Sequence, residues 1–403
     1  MEQSIFMCIF ASMNEKICFL TDSIFTVGGV QRVTAVIAKE LAKDYDVTIM
    51  TFDEPETKDL TIYELQEVPI QYRFFKYPTK RKIKEVFCKV FSGSYLKSRT
   101  QSEWTSNLYA HSSFPSELRS ALAEELKKGN YDIIIGVHAP LAARLASLRK
   151  QLPQAKLIGW VHNSFEALFG DTSLYIGADR KRHYVYQFRK LDDVVVLCHH
   201  DAESYRHYDP AFLPTVIHNP LTLKPGEMSR GITKRFLAVG RFSHQHKGFD
   251  LLIEAFHLFS QQNHDWLLDI VGEGPEKPLY ETLIHKYQLE DRIHLHPFTN
   301  HIQDYYSDAQ VYVLSSRWEG FGLVLVEAMS HGLPIVSSDL PTSKEIMGDF
   351  GIYFKNGNIT ELAAKLEEST RIDWHTKSKE AIKIAQKFDI GHIIDQWKQV
   401  IEK

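Results

Sequence analysis

Short β-branched, apolar runs that alternate with helical stretches most constrain what this chain can fold into. Strands that are apolar on both faces belong to parallel sheets covered by helices. "KICFL", "DVTIM", "YDIIIGV", "KLIGWV", "DVVVL" and "TVIHN" form a first series. The stretch "HNPLTLKPGEMSRGITK", rich in Pro, Gly and charge, interrupts it, and "RFLAVG", "WLLDIVG", "RIHLH", "VYVLSS" and "PIVSS" form a second. Two α/β domains with Rossmann-like sheets are therefore expected over 1–220 and 221–386, and residues 387–403 read as a terminal amphipathic helix, "IGHIIDQWKQVIEK". A length of 403 residues suits this division, since single cores stop growing near ~250–300 residues. Between the first two strands of the second series, "GFDLLIEAFHLFSQQ" places Phe249, Leu252, Ile253, Phe256 and Phe259 on one face of a helix.

Composition removes several function classes. A formal net charge of -4 lacks the basicity expected of a nucleic-acid binder. Cys8, Cys18, Cys88 and Cys198 are scattered without CxxC or Cys/His ligand spacing, so neither a disulfide framework nor a zinc site is expected, and a reducing cytosol fits. No apolar run approaches the ~18–20 residues of a membrane span, and Glu2 rather than Lys or Arg precedes the apolar stretch Ile5–Ala11. A cytoplasmic location is expected.

Ligands of parallel sheets bind beyond the carboxyl ends of the strands. After the first strand, Gly28 and Gly29 in "TDSIFTVGGVQRV" would let backbone approach a ligand. The pattern is neither GxGxxG nor GxxxxGK[ST], and a tight turn before a helix accounts for it equally well. His162 follows the fourth strand, but His138, His199 and His200 occupy comparable ends, and position alone does not choose among them. The second series says more. "FLAVGRFSHQHKGFDLLIEAF" puts Arg241 and Lys247 between a strand and a helix N-terminus, where two cations can converge on an anion. "SSRWEGFGLVLVEAMSHGLPIVSSD" puts Glu319, Gly320 and Gly322 ahead of a helix carrying Glu327. One carboxylate can hold a ribose and the other a transferred sugar, with a diphosphate on the amides between them.

At these residues the chain resembles the family-four retaining glycosyltransferases with the GT-B fold, two Rossmann-like domains facing across a cleft. The likeness runs from about Lys16 to the end and rests on the Gly-Gly loop, on "VGRFSHQHKG", and on the two glutamates separated by seven residues in "EGFGLVLVE". The resemblance implies that 1–220 binds the acceptor, that 221–386 binds the nucleotide sugar, and that the terminal helix packs back toward the N-terminal domain. It implies that Arg241 and Lys247 bind the donor diphosphate, Glu327 the ribose and Glu319 the donor sugar. Phe321, Gly322 and Leu323 would add backbone contacts, Phe298 would lie near the base, Gly28 and Gly29 would border the donor, and His162 would stand beside the anomeric carbon. Five residues separate Arg241 from Lys247 where the commonest pattern has four.

The leaving diphosphate must be stabilised as charge builds on it. The single DxD match, Asp44-Tyr45-Asp46, falls between a helix and a strand start, at the amino end of the sheet, and reads as a solvated turn. With no metal and no cofactor expected, a helix dipole supplies only ~0.3–2 kcal/mol, and Arg and Lys hydrogen bonds must supply ~1.5–3 kcal/mol each. The expected activity is metal-independent, retaining hexosyl or N-acetylhexosaminyl transfer from a nucleotide sugar, UDP-linked, to a glycan acceptor. Family members that extend lipid-linked glycans suggest bacterial surface polysaccharide or lipopolysaccharide as the product.

Segment 71–99 carries nine Lys or Arg against Glu85, interleaved with Phe74, Phe75, Tyr77, Phe87, Phe91 and Tyr95. It can be read as docking on an anionic membrane, on the inner face of the plasma membrane, or as a solvated basic face with rings packed inward. Residues 1–12 read as a dispensable extension, with the first strand in register from Met13. Alternative readings are a sugar-nucleotide epimerase of the same fold, a transferase acting on a small soluble acceptor, and a non-enzymatic, membrane-associated nucleotide-sugar binder. The joint presence of Arg241, Lys247, Glu319 and Glu327 argues against the last.

Overall fold

The computed structural model describes residues 15–78, 90–91, 93–95, 102–170, 173, 175–224, 226–243 and 246–403. The chain divides into two compact units, Met1–Trp160 with Tyr186–Asp193, and Val161–Val185 with Val194–Lys403.

A seven-stranded sheet is built from β1 (Lys16–Thr21), β2 (Asp46–Thr51), β3 (Ile70–Phe74), β4 (Ile133–Val137), β5 (Lys156–Trp160), β6 (Asp193–Val196) and β7 (Thr215–Val216). Its order is β3-β2-β1-β4-β5-β6-β7. A six-stranded sheet is built from β8 (Arg235–Val239), β9 (Leu267–Val271), β10 (Ile293–His296), β11 (Val311–Leu314), β12 (Ile335–Ser338) and β13 (Ile352–Phe354), in the order β10-β9-β8-β11-β12-β13. The described pairings are parallel. In each sheet the chain runs outward from the first strand in one direction and then returns to its other side, so a topological switch point lies between β1 and β4 and another between β8 and β11. This is the α/β architecture of the GT-B fold.

The eleven apolar runs form strands, and two strands escape them. β3 has the sequence IQYRF with one fully buried residue, and β13 has three residues. Both are edge strands, where one side and often one face meet solvent and apolar continuity is not required. "TVIHN" contracts to Thr215–Val216 at the opposite edge of the first sheet. Helix Phe249–Ser260 buries the five residues its periodicity selects, packing Phe249, Leu252, Ile253, Phe256 and Phe259 with Phe236, Leu268 and Ile270. Asp44 and Tyr45 close the turn after helix Gly29–Leu41 by hydrogen bonds to Leu41 O, and Asp46 opens β2. The DxD match is thus a turn at the amino end of a strand.

Among the described residues no helix is long and apolar enough to cross a membrane. In the described part of segment 71–99 the rings contact neighbouring aromatics, while Lys76 and Val90 are exposed. Phe74 stacks on Phe25 at 5.9 Å, Phe75 and Tyr77 lie 5.9 and 5.1 Å from Phe52, and Tyr77 meets Phe114 edge-on at 5.7 Å. Arg73 and Lys76 pair with Glu125 and Glu54. Phe74 and Phe75 are half-buried in these contacts. Lys80, Arg81, Lys82, Lys84 and Phe87 lie outside the described residues, as do residues 1–12.

Candidate active site

Three side chains singled out by sequence, Arg241, Lys247 and Glu319, stand in the loops that leave the strands flanking the second switch point. After β8 the chain turns through Gly240 and Arg241 to Lys247 and Gly248, and after β11 it runs through Ser315 and Ser316 to Glu319. Gly248 has φ +62°, and a Cβ there would stand 2.1 Å from Ser315 O, so only glycine lets the two loops close on each other. Ser315 Oγ donates to Lys247 O at 2.7 Å, and the Arg317 N–H donates to His246 O at 2.8 Å. The loops are braced further by a bidentate Arg317–Asp250 pair, at 2.8 and 2.6 Å, and by His246, which stacks on Trp318 with ring centroids 4.8 Å apart. Residues 244 and 245, within the longer Arg241–Lys247 spacing, lie outside the described residues.

This bracing delivers Lys247 Nζ to within 2.6 Å of Glu319 Oε1, with Glu319 only 7% exposed. Ser316 Oγ donates to the same oxygen at 2.6 Å. Burial alone would push the Glu319 carboxyl up, but the Lys247 and His246 charges and the Lys247 and Ser316 hydrogen bonds outweigh it and hold it below its ordinary value. Burial pushes the His246 imidazole down. Arg241 is exposed at the mouth of the same turn.

Between the two glutamates Gly322, with φ +87°, starts helix Leu323–Ser330, and no side chain caps that helix. The Leu325 N–H donates to Gly322 O at 2.9 Å, and a helix start of this kind presents its first N–H groups and the positive end of its dipole. Glu327 is buried on it, and its two oxygens accept from different elements. Thr222 Oγ1 donates to Oε1 at 3.3 Å and Tyr306 Oη to Oε2 at 3.1 Å. His331 stacks on Tyr306 at 5.1 Å and binds Glu327 O through Nδ1 at 2.9 Å, fixing both in place.

A family model described as Glycosyltransferase Family 4 matches residues 27–224, and one described as Glycosyl transferases group 1 matches residues 227–388. The chain belongs to the family-four, group-1 glycosyltransferases. An uncharacterized glycosyltransferase of Haemophilus influenzae is 24% identical over 401 residues, covering 96% of this glycosyltransferase and all of that protein. The amylovoran biosynthesis glycosyltransferase AmsD of Erwinia amylovora is 37% identical over 118 residues, 29% of this chain and 33% of that one. The crystal structure of Anabaena HepE in complex with UDP and glucose superposes with a TM-score of 0.73 at 19% identity, covering 96% of this chain and 99% of that one.

The remaining expected residues of this glycosyltransferase are placed as follows. His162, past the end of β5, is buried, and its carbonyl lies against Gly320, where a Cβ would come within 2.1 Å of it. The donor loop candidate and His162 are thus in contact through backbone. Phe321 is buried, its ring 5.9 Å from His218 and 5.7 Å from Phe388, so it offers only main chain. Leu323 is half-buried, and the Phe298 ring is 46% exposed beyond β10. Gly28 and Gly29 belong to the other unit, at the start of helix Gly29–Leu41. Gly28 has extended backbone and donates its N–H to Tyr63 Oη at 2.9 Å, while Asp53 Oδ2 accepts from the Ile24 N–H at 2.9 Å, so the loop is held from both sides.

Of the other histidines, His138 has φ +74° and ψ 150° at the carboxyl end of β4, a conformation nearly reserved to glycine. Burial pushes its imidazole down, against the pull of Asp22 at the end of β1. His199 and His200 start helix His199–Tyr208, and their N–H groups donate to Glu345 at 2.7 and 3.1 Å. Theirs is a helix-end role. Glu345 also meets His218 Nε2 at 2.9 Å, so one carboxylate ties together three segments, a function that no sequence spacing signals.

Proposed function

We propose that this chain transfers a hexosyl or N-acetylhexosaminyl group from a UDP-linked donor to a lipid-linked glycan, with retention and without a metal, in surface polysaccharide or lipopolysaccharide synthesis. The observation that carries the reading is the buried Lys247–Glu319 pair at the switch point, with Glu327 eight residues on and accepting from neutral hydroxyls. Glu327 is suited to accept ribose hydroxyls, because its present partners are donors of the same kind. Glu319 is kept ionised by Lys247 and is suited to accept hydroxyls of the donor sugar. The diphosphate would lie on the first-turn amides after Gly322, with Lys247 and Arg241 neutralising charge as the sugar–phosphate bond breaks. His162 would stand beside the anomeric carbon. The domain taking the acceptor would be 1–220 and the one taking the donor 221–386. HepE was crystallised with UDP and glucose, and AmsD serves amylovoran biosynthesis, which favours UDP and a polysaccharide product.

The test is a panel of nucleotide sugars incubated with the protein and membrane extract in excess EDTA, with products weighed by mass spectrometry. A glycan heavier by one hexosyl residue and released UDP are expected. Isomerised donor without an acceptor product would indicate an epimerase instead. Activity that vanishes in EDTA and returns with Mg²⁺ or Mn²⁺ would overturn the leaving-group chemistry.

A further inference from the structure

The second sheet carries a group of ligand-type side chains that the transfer reaction does not use. β9 and β10 are paired with His294 opposite Asp269. Residues alternate between faces along a strand, so Leu268, Ile270 and Ile293 enter the apolar core while Asp269, His294 and His296 share the other face. Asp269 Oδ1 lies 2.7 Å from His296 Nε2 and 3.4 Å from His294 Nδ1. All three donor atoms fall within 4.8 Å of one another.

We propose that Asp269, His294 and His296 form a zinc site that ties the edge strand β10 to β9. Tetrahedral bonds of ~2.0–2.2 Å set neighbouring ligand atoms roughly 3.3–3.5 Å apart; the His294–Asp269 separation of 3.4 Å already matches this, and the 2.7 Å His296–Asp269 hydrogen bond would open by about half an ångström to admit the ion. Two imidazoles and one carboxylate suit zinc, whereas Mg²⁺ and Ca²⁺ prefer all-oxygen sets. The other carboxylate oxygen, Asp269 Oδ2, accepts from Arg235 Nη1 at 2.8 Å, which orients Oδ1 toward the imidazoles as second-layer partners of metal ligands do. Tyr305 packs on the His296 ring at 4.9 Å and limits its rotation. Asp269 is buried while both histidines are half-exposed, so an ion can enter from solvent and keep water as a fourth ligand. None of the three residues contacts Glu319 or Glu327 through the hydrogen bonds described above, so the site is separate from the transfer chemistry. Cys/His spacing does not reveal it, because the third ligand comes from the neighbouring strand.

The experiment titrates chelator-stripped full-length protein with Zn²⁺ by calorimetry and with Co²⁺ by visible absorption. Wild type should take up one equivalent, with the d–d bands of a four-coordinate cobalt ion. His294→Gln and His296→Gln should each weaken uptake by at least about tenfold, the loss that changes to outer partners alone can cause, and the double variant should lose the equivalent. Circular dichroism confirms folding. Asp269→Asn is a poorer probe because it also breaks the Arg235 pair. No stoichiometric uptake by wild type, or equal uptake by the folded double variant, would overturn the proposal. Neither result bears on the transfer assay, which is run in excess EDTA.

Discussion

The two sheets share one winding pattern, yet their switch points are furnished differently. Between β8 and β11 stands a buried ion pair, Lys247–Glu319, with an exposed arginine at its mouth and an uncapped helix start beside it. Between β1 and β4 stands a loop held by Gly28 on Tyr63 and by the Asp53 carboxylate on the Ile24 N–H, together with the strained, half-buried His138. Charge arranged in advance suits a ligand whose own charge grows during reaction. A hydrogen-bonding surface suits a glycan. The comparison teaches that one winding pattern can present either kind of surface, depending on what its strand-end loops carry.

The sharpest way to break this comparison is to remove a cation from the charged side. Arg241→Ala or Lys247→Ala should lower turnover at saturating donor by about 10²–10³, as loss of a transition-state donor does elsewhere. Lys247→Ala also strands the buried Glu319 carboxylate, which should cost about 3–5 kcal/mol of unfolding free energy in urea titrations. Arg241→Ala, at an exposed position, should leave stability nearly unchanged. If both variants lose stability equally and neither loses turnover, the pair is structural.

A smaller effect is expected at Glu327. Glu327→Gln should raise the donor Kd measured by calorimetry, more than it lowers turnover. Tyr306→Phe should follow it in the same direction by about 1.5 kcal/mol, the contribution of one hydrogen bond to a charged group. At the first switch point, His138→Ala should raise the acceptor KM by up to about tenfold, one hydrogen bond's contribution, without changing donor Kd. A change in donor Kd alone would show that the first switch point does not serve the acceptor.

A further effect is in the pH dependence of stability, followed by thermal unfolding. Glu319 is held below its ordinary 4.5, so its contribution is fully present above that pH and is lost as pH falls through the lower folded value. Lys247→Ala should flatten that acid branch. Asp201 behaves oppositely: burial pushes it up to about 8, although the Phe165 N–H donates to it at 2.9 Å. The folded state then binds the extra proton, and stability should fall as pH rises from about 4 to about 8. Asp201→Asn should remove that slope, and an unchanged slope would mean the carboxyl is ionised in the folded protein.

How much was legible follows from where the information sits. Interior strands were visible because burial on both faces demands continuous apolar residues, whereas β3 and β13, with Gln71 and Arg73 or only three residues, lack that demand. Arg241, Lys247, Glu319 and Glu327 were visible because a loop–helix turn fixes their spacing in sequence. Their partners were not. Thr222 reaches Glu327 from 105 residues away, and Tyr63 reaches Gly28 from 35. Nothing local marks an ordinary threonine or tyrosine for such a task. His138 was visible as a strand-end histidine, but its backbone strain is a property of packing and had no sequence signal.

The central claim is that Lys247, paired with Glu319, stabilises the departing nucleoside diphosphate. Its most direct test is the rate of UDP release from saturating UDP-hexose, with membrane extract as acceptor and excess EDTA, for wild type and Lys247→Ala. Donor Kd for both proteins serves as the folding control. The account predicts rapid acceptor-dependent release by wild type and a rate lower by about 10²–10³ in a variant that still binds donor. Equal rates in two proteins that bind donor would contradict it.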